Sequence, residues 1–236
     1  MHMTKMAAGL AAAAAVLVGG PDVRAAEGVI KGRVLFEGTP PAPQKVKVSA
    51  DPRCKAQHPD GLERSDLSVS GGGLGEALVY LKTGVTGTFP PSSAPALLDQ
   101  KGCQYLPAMV AVQAGQPLKI RNSDPTLHNV HFRPALNPEI NIGQPRAGME
   151  SSRVFAKPEV LVPIGCDVHP WMRAHLAVLS HPFFAVTVDG GAFEIRGVPP
   201  GSYQIEARHP RLPPASAKVT VGAGVTPVDL TLSLRP

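Results

Sequence analysis

The sequence predicts an all-β protein, on three observations. Apolar and polar residues alternate at period two in one short segment after another, as half-buried strands require. Gly (24) and Pro (26) punctuate those segments. No long amphipathic helix or heptad run is visible. Charged residues are 17% and aromatics 5% of the chain, a balance that suits many short strands joined by frequent turns. A length of 236 residues holds one large β domain or two small ones, each with its own core.

In chain order, residues 1–25 read as a targeting segment. Lys5 supplies a positive charge, Met6 to Val18 form an alanine-rich apolar run, and Val23-Arg24-Ala25 offers a cleavage point before Ala26 or Glu27. The run falls short of the roughly 20 residues that span a bilayer, so a removed secretory signal is expected rather than an anchor. No cysteine near the cleavage point could take a lipid. The mature product is expected to be soluble, without a membrane span, and periplasmic.

The mature chain opens with a strand in which Ile30, Val34 and Phe36 face one way and Lys31 and Arg33 the other. A second strand is expected at Lys45 to Ser49 and a third at Ala77 to Lys82. Ser70 to Gly75 and Pro90 to Pro95 are loops, the latter a candidate domain boundary. Strands follow at Met109 to Gln113, Pro117 to Arg121, Asn129 to Phe132, Arg153 to Phe155, Val160 to Ile164 and Leu176 to Leu179. Asn137 to Gly148 reads as a polar connection. In the last fifty residues Phe193 and Ile195, then Tyr203, Ile205 and Ala207, then Val219 and Val221, then Val228, Leu230 and Leu232 alternate with polar neighbours. These are read as antiparallel strands.

The formal charge of +5 is modest and its Lys and Arg residues are scattered, so no nucleic-acid partner is expected. Three cysteines are present: Cys54, Cys103 and Cys166. In an oxidising compartment an even number tends to pair and the odd one needs a role. The simplest split is a Cys54–Cys103 disulfide with Cys166 free. The other split puts Cys166 in the bridge and frees one of its partners.

Cys166 has a candidate role. Cys166-Asp167-Val168-His169-Pro170-Trp171-Met172 places a thiolate, an imidazole and a thioether within seven residues, and Leu127-His128-Asn129-Val130-His131-Phe132 lies 38 residues upstream of the cysteine. Two imidazoles, one thiolate and a weak axial thioether are what a type 1 copper site uses. Structural zinc prefers four strong ligands over a thioether. His131 competes with His128. Residues three apart on a strand face opposite sides, so only one can enter the site, and His128 is preferred. His175 and His181 read as surface or packing residues, Met109 as core, and His209 as a lone, solvated strand-end histidine.

Both stretches resemble those of cupredoxins, the blue copper proteins, with C-x-x-H-x-x-M spacing closest to the amicyanin/plastocyanin-like members. The resemblance covers about residues 96–181 and implies a Greek-key β-sandwich holding one copper ion. His128, Cys166 and His169 would be equatorial ligands and Met172 the axial one. Asn129 would join the two loops, its backbone N–H donating to the cysteine sulfur. Separately, Val29-Ile30-Lys31-Gly32-Arg33-Val34 and Phe193 to Tyr203, with its Gly197-Val198-Pro199-Pro200-Gly201 turn, resemble the transthyretin-like, carboxypeptidase regulatory-type β-sandwich. In that family the two pieces form one domain. The implied organisation is residues 28–90 and 182–236 as one sandwich with the copper domain inserted.

The expected function is single-electron transfer. Such a site leaves no open position for substrate, and the several His-x-His pairs of a multicopper cluster are missing, so the chain reads as no enzyme. Alternative readings are a copper-binding or delivery module, and a structural β-sandwich without a redox role. His169 is expected to be the ligand nearest the surface, with Leu127 and Pro125 completing an apolar rim. Trp171 reads either as part of that rim or as a core aromatic. Partners by resemblance are a c-type cytochrome or a periplasmic dehydrogenase, docking over His169 and Trp171.

Overall fold

Strand Gly28–Glu37 alternates as its sequence requires, with Ile30 and Val34 buried and Lys31 exposed. In the computed structural model, which describes residues 26–48 and 50–234, this strand is the hub of one sheet. It pairs antiparallel with Ala192–Val198, Ile30 opposite Ile195. It also pairs parallel with Gly224–Pro227 and then Leu230–Ser233. The final strand was expected to be antiparallel. Alternation reports which face is buried, not strand direction, and is the same for both. Gly32 permits the close approach: a Cβ there would lie 1.6 Å from the Val228 carbonyl oxygen. The expected signal segment, residues 1–25, lies outside the described residues.

A second sheet, in the order Phe184–Val186, Leu78–Thr83, Gly201–His209, Leu212–Val221, faces the first. Ile30, Val34, Leu74, Val79, Leu81, Ile195 and Ile205 fill the space between them. Both ends of the chain therefore feed one core.

Residues 96–179 build another sandwich. One sheet runs Glu150–Val154, Pro117–Asn122, Ala96–Gln100, Tyr105–Leu106. The other runs Ile140–Gln144, His128–Phe132, Glu159–Gly165, Arg173–Leu179, Met109–Gln113. Leu98, Leu118, Ile120, Val130, Phe132, Phe155 and Leu176 form its core. Strand Ile140–Gln144 lies inside the stretch expected to be a connection. The two sandwiches meet along a seam containing Leu78, Met109, Ala177 and Leu179.

A short cap completes the chain. Strands Gln44–Val46 and Leu62–Arg64 form an antiparallel pair, and helix Pro52–Gln57 lies between them in sequence. The helix was not expected, since six residues carry no periodicity. Its start signals are nonetheless present: Asp51 accepts from the Arg53 and Cys54 N–H groups, at 2.7 and 3.1 Å, and Pro52 opens the first turn. The Cys54–Cys103 disulfide, S–S 2.04 Å, fastens the cap to the second sandwich, and Cys166 is a buried free thiol.

Candidate metal centre

Strands His128–Phe132 and Glu159–Gly165 are antiparallel neighbours, with His131 opposite Gly165. The start of one therefore lies at the same end of the sheet as the residues that follow the other. The 166–172 loop folds back tightly. The His169 N–H donates to Cys166 Sγ (3.3 Å), the Met172 N–H to the His169 carbonyl (2.9 Å), and the Cys166 N–H to the Met172 carbonyl (3.3 Å).

This brings three of the expected ligands together. His128 Nδ1 and His169 Nδ1 are 2.9 Å apart, and Cys166 Sγ is 3.9 Å from His169 Nδ1. A ligand atom from each of the three residues lies within 4.8 Å of the others, and all three are buried. Met172 is buried in the same core cluster as Cys166. Asp51, Cys54 and His169 also approach one another, as do Cys103, Asp124 and His128, but the disulfide occupies both of those sulfurs.

Each imidazole is backed by a carboxylate that sequence reasoning missed. His128 Nε2 donates to Asp124 Oδ2 at 3.0 Å, and His169 Nε2 to Asp51 Oδ2 at 3.1 Å. Asp124 is itself held by successive backbone N–H groups, Gly102 at 2.9 Å and Cys103 at 2.7 Å. Asp51 also accepts from Thr126 Oγ1 at 2.8 Å. Burial works against ionisation of both acids. For Asp124 the bonds from His128 and the two N–H groups outweigh it and hold the pKa down. For Asp51, Thr126, the helix N–H groups and His169 hold it at about 2. The available signal was an aspartate before a proline in each case, Asp51-Pro52 and Asp124-Pro125. It indicates a turn or helix start and says nothing of a distant histidine.

These bonds set the tautomers. A carboxylate acceptor on Nε2 puts the proton there, leaving Nδ1 as a lone-pair donor. With both rings neutral, the two Nδ1 atoms present lone pairs to each other at 2.9 Å, a contact that a shared proton or a metal cation between them satisfies. Cys166 adds a third donor. Burial opposes its ionisation, yet hydrogen bonds from the His128 and His169 rings in their doubly protonated form, and from the backbone of Asn129 and His169, pull the thiol down to about 5. Burial likewise opposes charge on His128, but Asp124 and Cys166 raise its pKa. A thiolate with two imidazoles is a soft, low-coordinate donor set suited to copper.

Asn129 ties the two loops together. Its Oδ1 accepts from the Asp167 N–H (2.7 Å) and the Cys166 thiol (3.2 Å), while its Nδ2 donates to Asp167 and Asn141. His131 points away from the site, to Asp167 and Glu139, as the strand period requires.

Two expectations are corrected. His169 is only 2% exposed. Asp51 covers its outer edge, Cys54 Sγ lies 3.9 Å from its Nε2, and Trp171 packs 4.9 Å from its ring. The cap supplies this cover, and its path could not be read from local pattern. Trp171 is half-buried, donates Nε1–H to the Cys103 carbonyl at 3.1 Å, and packs on the cap's apolar cluster. Leu127 and Pro125 do remain exposed. His209, expected in solvent, is buried, as is His181, whose Nε2 bonds the Leu81 carbonyl.

No family model matches the chain, and no curated protein does. Among solved structures it is similar to an amicyanin variant in the Cu(I) form, at 22% identity over 36% of this chain and 81% of that one, TM-score 0.32. It is similar to a purple cupredoxin from Nitrosopumilus maritimus, at 20% identity over 35% and 98%, TM-score 0.30. It is also similar to a copper-containing nitrite reductase from Thermus scotoductus, at 18% identity over 42% and 25%, TM-score 0.32.

Proposed function

We propose that this chain is an exported type 1 copper protein that carries single electrons between redox proteins and catalyses no reaction of its own. The observation that carries the reading is the facing pair of Nδ1 lone pairs from His128 and His169, with the Cys166 sulfur beside them. Copper, when bound there, supplies a centre that gains and loses one electron. The residues of the chain do the rest. Asp124 and Asp51 orient the two imidazoles and fix their tautomers. Asn129 and the His169 N–H hold the Cys166 sulfur. Met172 would supply a fourth, weak thioether donor to bound copper. The cap covers the outer edge of His169 through Asp51 and Cys54. Burial of all three strong donors also argues against a site that hands its ion on readily. A c-type cytochrome or a periplasmic dehydrogenase fits as partner, meeting the exposed Leu127 and Pro125 beside the loop.

Copper titration of the purified protein tests this, read by visible absorption and electron paramagnetic resonance. One Cu(II) per chain with an intense thiolate-to-copper band is expected, and Cys166→Ser should remove the band. Binding without that band, or an equal band in Cys166→Ser, would overturn the reading.

A further inference from the structure

A cleft of about 370 Å³ opens along the seam between the two sandwiches, in the size range of small-ligand sites. Arg64 reaches it from the cap, Glu76 from the approach to strand Leu78–Thr83, and Arg173 and His175 from one edge of strand Arg173–Leu179. His209 and Arg211 come from the turn after Gly201–His209. Three separate parts of the chain thus bring guanidinium groups to one hollow.

Its acidic groups are already committed. Asp66 pairs with both Arg64 (3.1 Å) and Arg211 (3.4 Å). Glu76 accepts from the Ala108 N–H, and burial pushes its carboxyl pKa up. Arg173 has no carboxylate partner among the described residues. Its Nε donates to the Pro170 carbonyl at 3.3 Å, which leaves its terminal nitrogens to face a ligand. Arg64 likewise donates to the Trp171 carbonyl at 3.1 Å.

His209 adds a neutral donor. Its Nδ1 accepts from the Arg211 N–H at 3.2 Å, so the proton sits on Nε2, which has no hydrogen-bond partner among the described residues. Burial, with His175 and Arg211 close by, pushes its pKa down to about 4 and keeps the ring neutral. The wall is therefore rich in N–H donors and net positive, with three guanidinium groups against two carboxylates. Guanidinium forks in such a setting select acceptor-only anions.

We propose that the cleft binds a small oxyanion of the carboxylate or phosphate class, held by Arg173 and Arg211 with His209 Nε2–H as a third donor. The proposal does not depend on the metal centre.

Calorimetric titration of the whole protein with inorganic phosphate, and separately with malonate, tests it, with sodium chloride holding ionic strength constant. Saturable one-to-one binding of phosphate, malonate or both is expected, and which of them binds identifies the source class. Arg173→Gln and Arg211→Gln should each weaken binding about tenfold or more, the loss of one charge-assisted contact. Lys218→Gln, an exposed basic residue on strand Leu212–Val221, should leave it unchanged. The proposal is overturned if neither anion saturates by about 10 mM, where binding is worth under roughly 3 kcal/mol. It is equally overturned if Lys218→Gln weakens binding as much as the cleft variants do.

Discussion

Asp124→Asn isolates the contribution of one carboxylate. The two oxygens of Asp124 receive three donors: the Gly102 N–H at 2.9 Å, the Cys103 N–H at 2.7 Å and His128 Nε2–H at 3.0 Å. The side chain is buried, so water cannot substitute. An asparagine amide keeps one oxygen and turns the other position into a donor. With its oxygen at the Oδ2 site it retains Cys103 and His128 but directs N–H at the Gly102 N–H. Flipped, it loses both of the others. The better orientation still leaves one buried donor unmatched, which costs about 1–3 kcal/mol, and it replaces charge-assisted bonds with weaker neutral ones. A total loss of roughly 2–4 kcal/mol is expected, measured as the shift in urea midpoint at unchanged slope. Because the same oxygen orients His128, copper affinity should also fall about 10–100-fold in a chelator competition. A variant within about 0.5 kcal/mol of the parent, with unchanged copper affinity, would show that the Asp124 bonds neither support the fold nor set the ligand.

Replacing Cys54 and Cys103 together by alanine frees a span of 49 residues, so chain entropy predicts a loss of about 4 kcal/mol, checked by denaturant titration; a loss under about 1 kcal/mol would show that the cap is held by packing alone. Asp51→Asn keeps a good N-cap for helix Pro52–Gln57 while removing the charge beside His169. With its oxygen kept on the helix N–H groups, its amide would face His169 Nε2–H, so it should lower stability by about 1–3 kcal/mol and raise the copper midpoint potential, by about 40–120 mV for a charge worth roughly 1–3 kcal/mol at that range, in a redox titration. Glu159 accepts from the Ala135, Leu136 and Asn137 N–H groups; these outweigh burial and depress its pKa. A depressed carboxylate stabilises the fold fully above its unfolded pKa of about 4.3 and loses that contribution as pH falls. The stability gap between parent and Glu159→Gln should thus be largest near neutral pH and shrink between about pH 5 and 3, and a gap that widens on acidification would be evidence against the assigned bonds.

Local pattern carried much of the fold. The alternation of Ile30, Val34 and Phe36 against Lys31 and Arg33 marks strand Gly28–Glu37 unaided, and the histidine and methionine beside Cys166 favour the Cys54–Cys103 pairing that is found. The spacing within 166–172 and the upstream His128 name the three donors that meet within 4.8 Å. What escaped has a common cause. Asp51 reaches His169 across 118 positions of sequence, and no local rule reports such a contact. The burial of His169 and His209 is likewise set by which distant segment lies over them. The parallel pairing of Leu230–Ser233 leaves the same alternation as an antiparallel one. Strand Ile140–Gln144 was hidden because its solvent-facing residues and flanking prolines resemble a loop.

The cap also changes what the candidate metal centre is. Its donors come from residues 128–172, within the second sandwich, but the carboxylate behind His169 comes from the cap. The cap in turn connects strand Gly28–Glu37 to strand Leu78–Thr83 of the first sandwich. The disulfide closes this link within reach of both imidazoles, through Cys54 beside His169 and through Cys103, whose N–H holds Asp124. Hydrogen bonds of this kind strengthen where water is excluded, and here each supports the next: the Cys103 N–H steadies Asp124, Asp124 fixes His128, and His128 with His169 lowers the Cys166 thiol. Any movement of the cap therefore acts on the imidazoles through Asp51 and Asp124 together. The donor geometry is a property of the cap and the second sandwich together and not of the 96–181 segment alone.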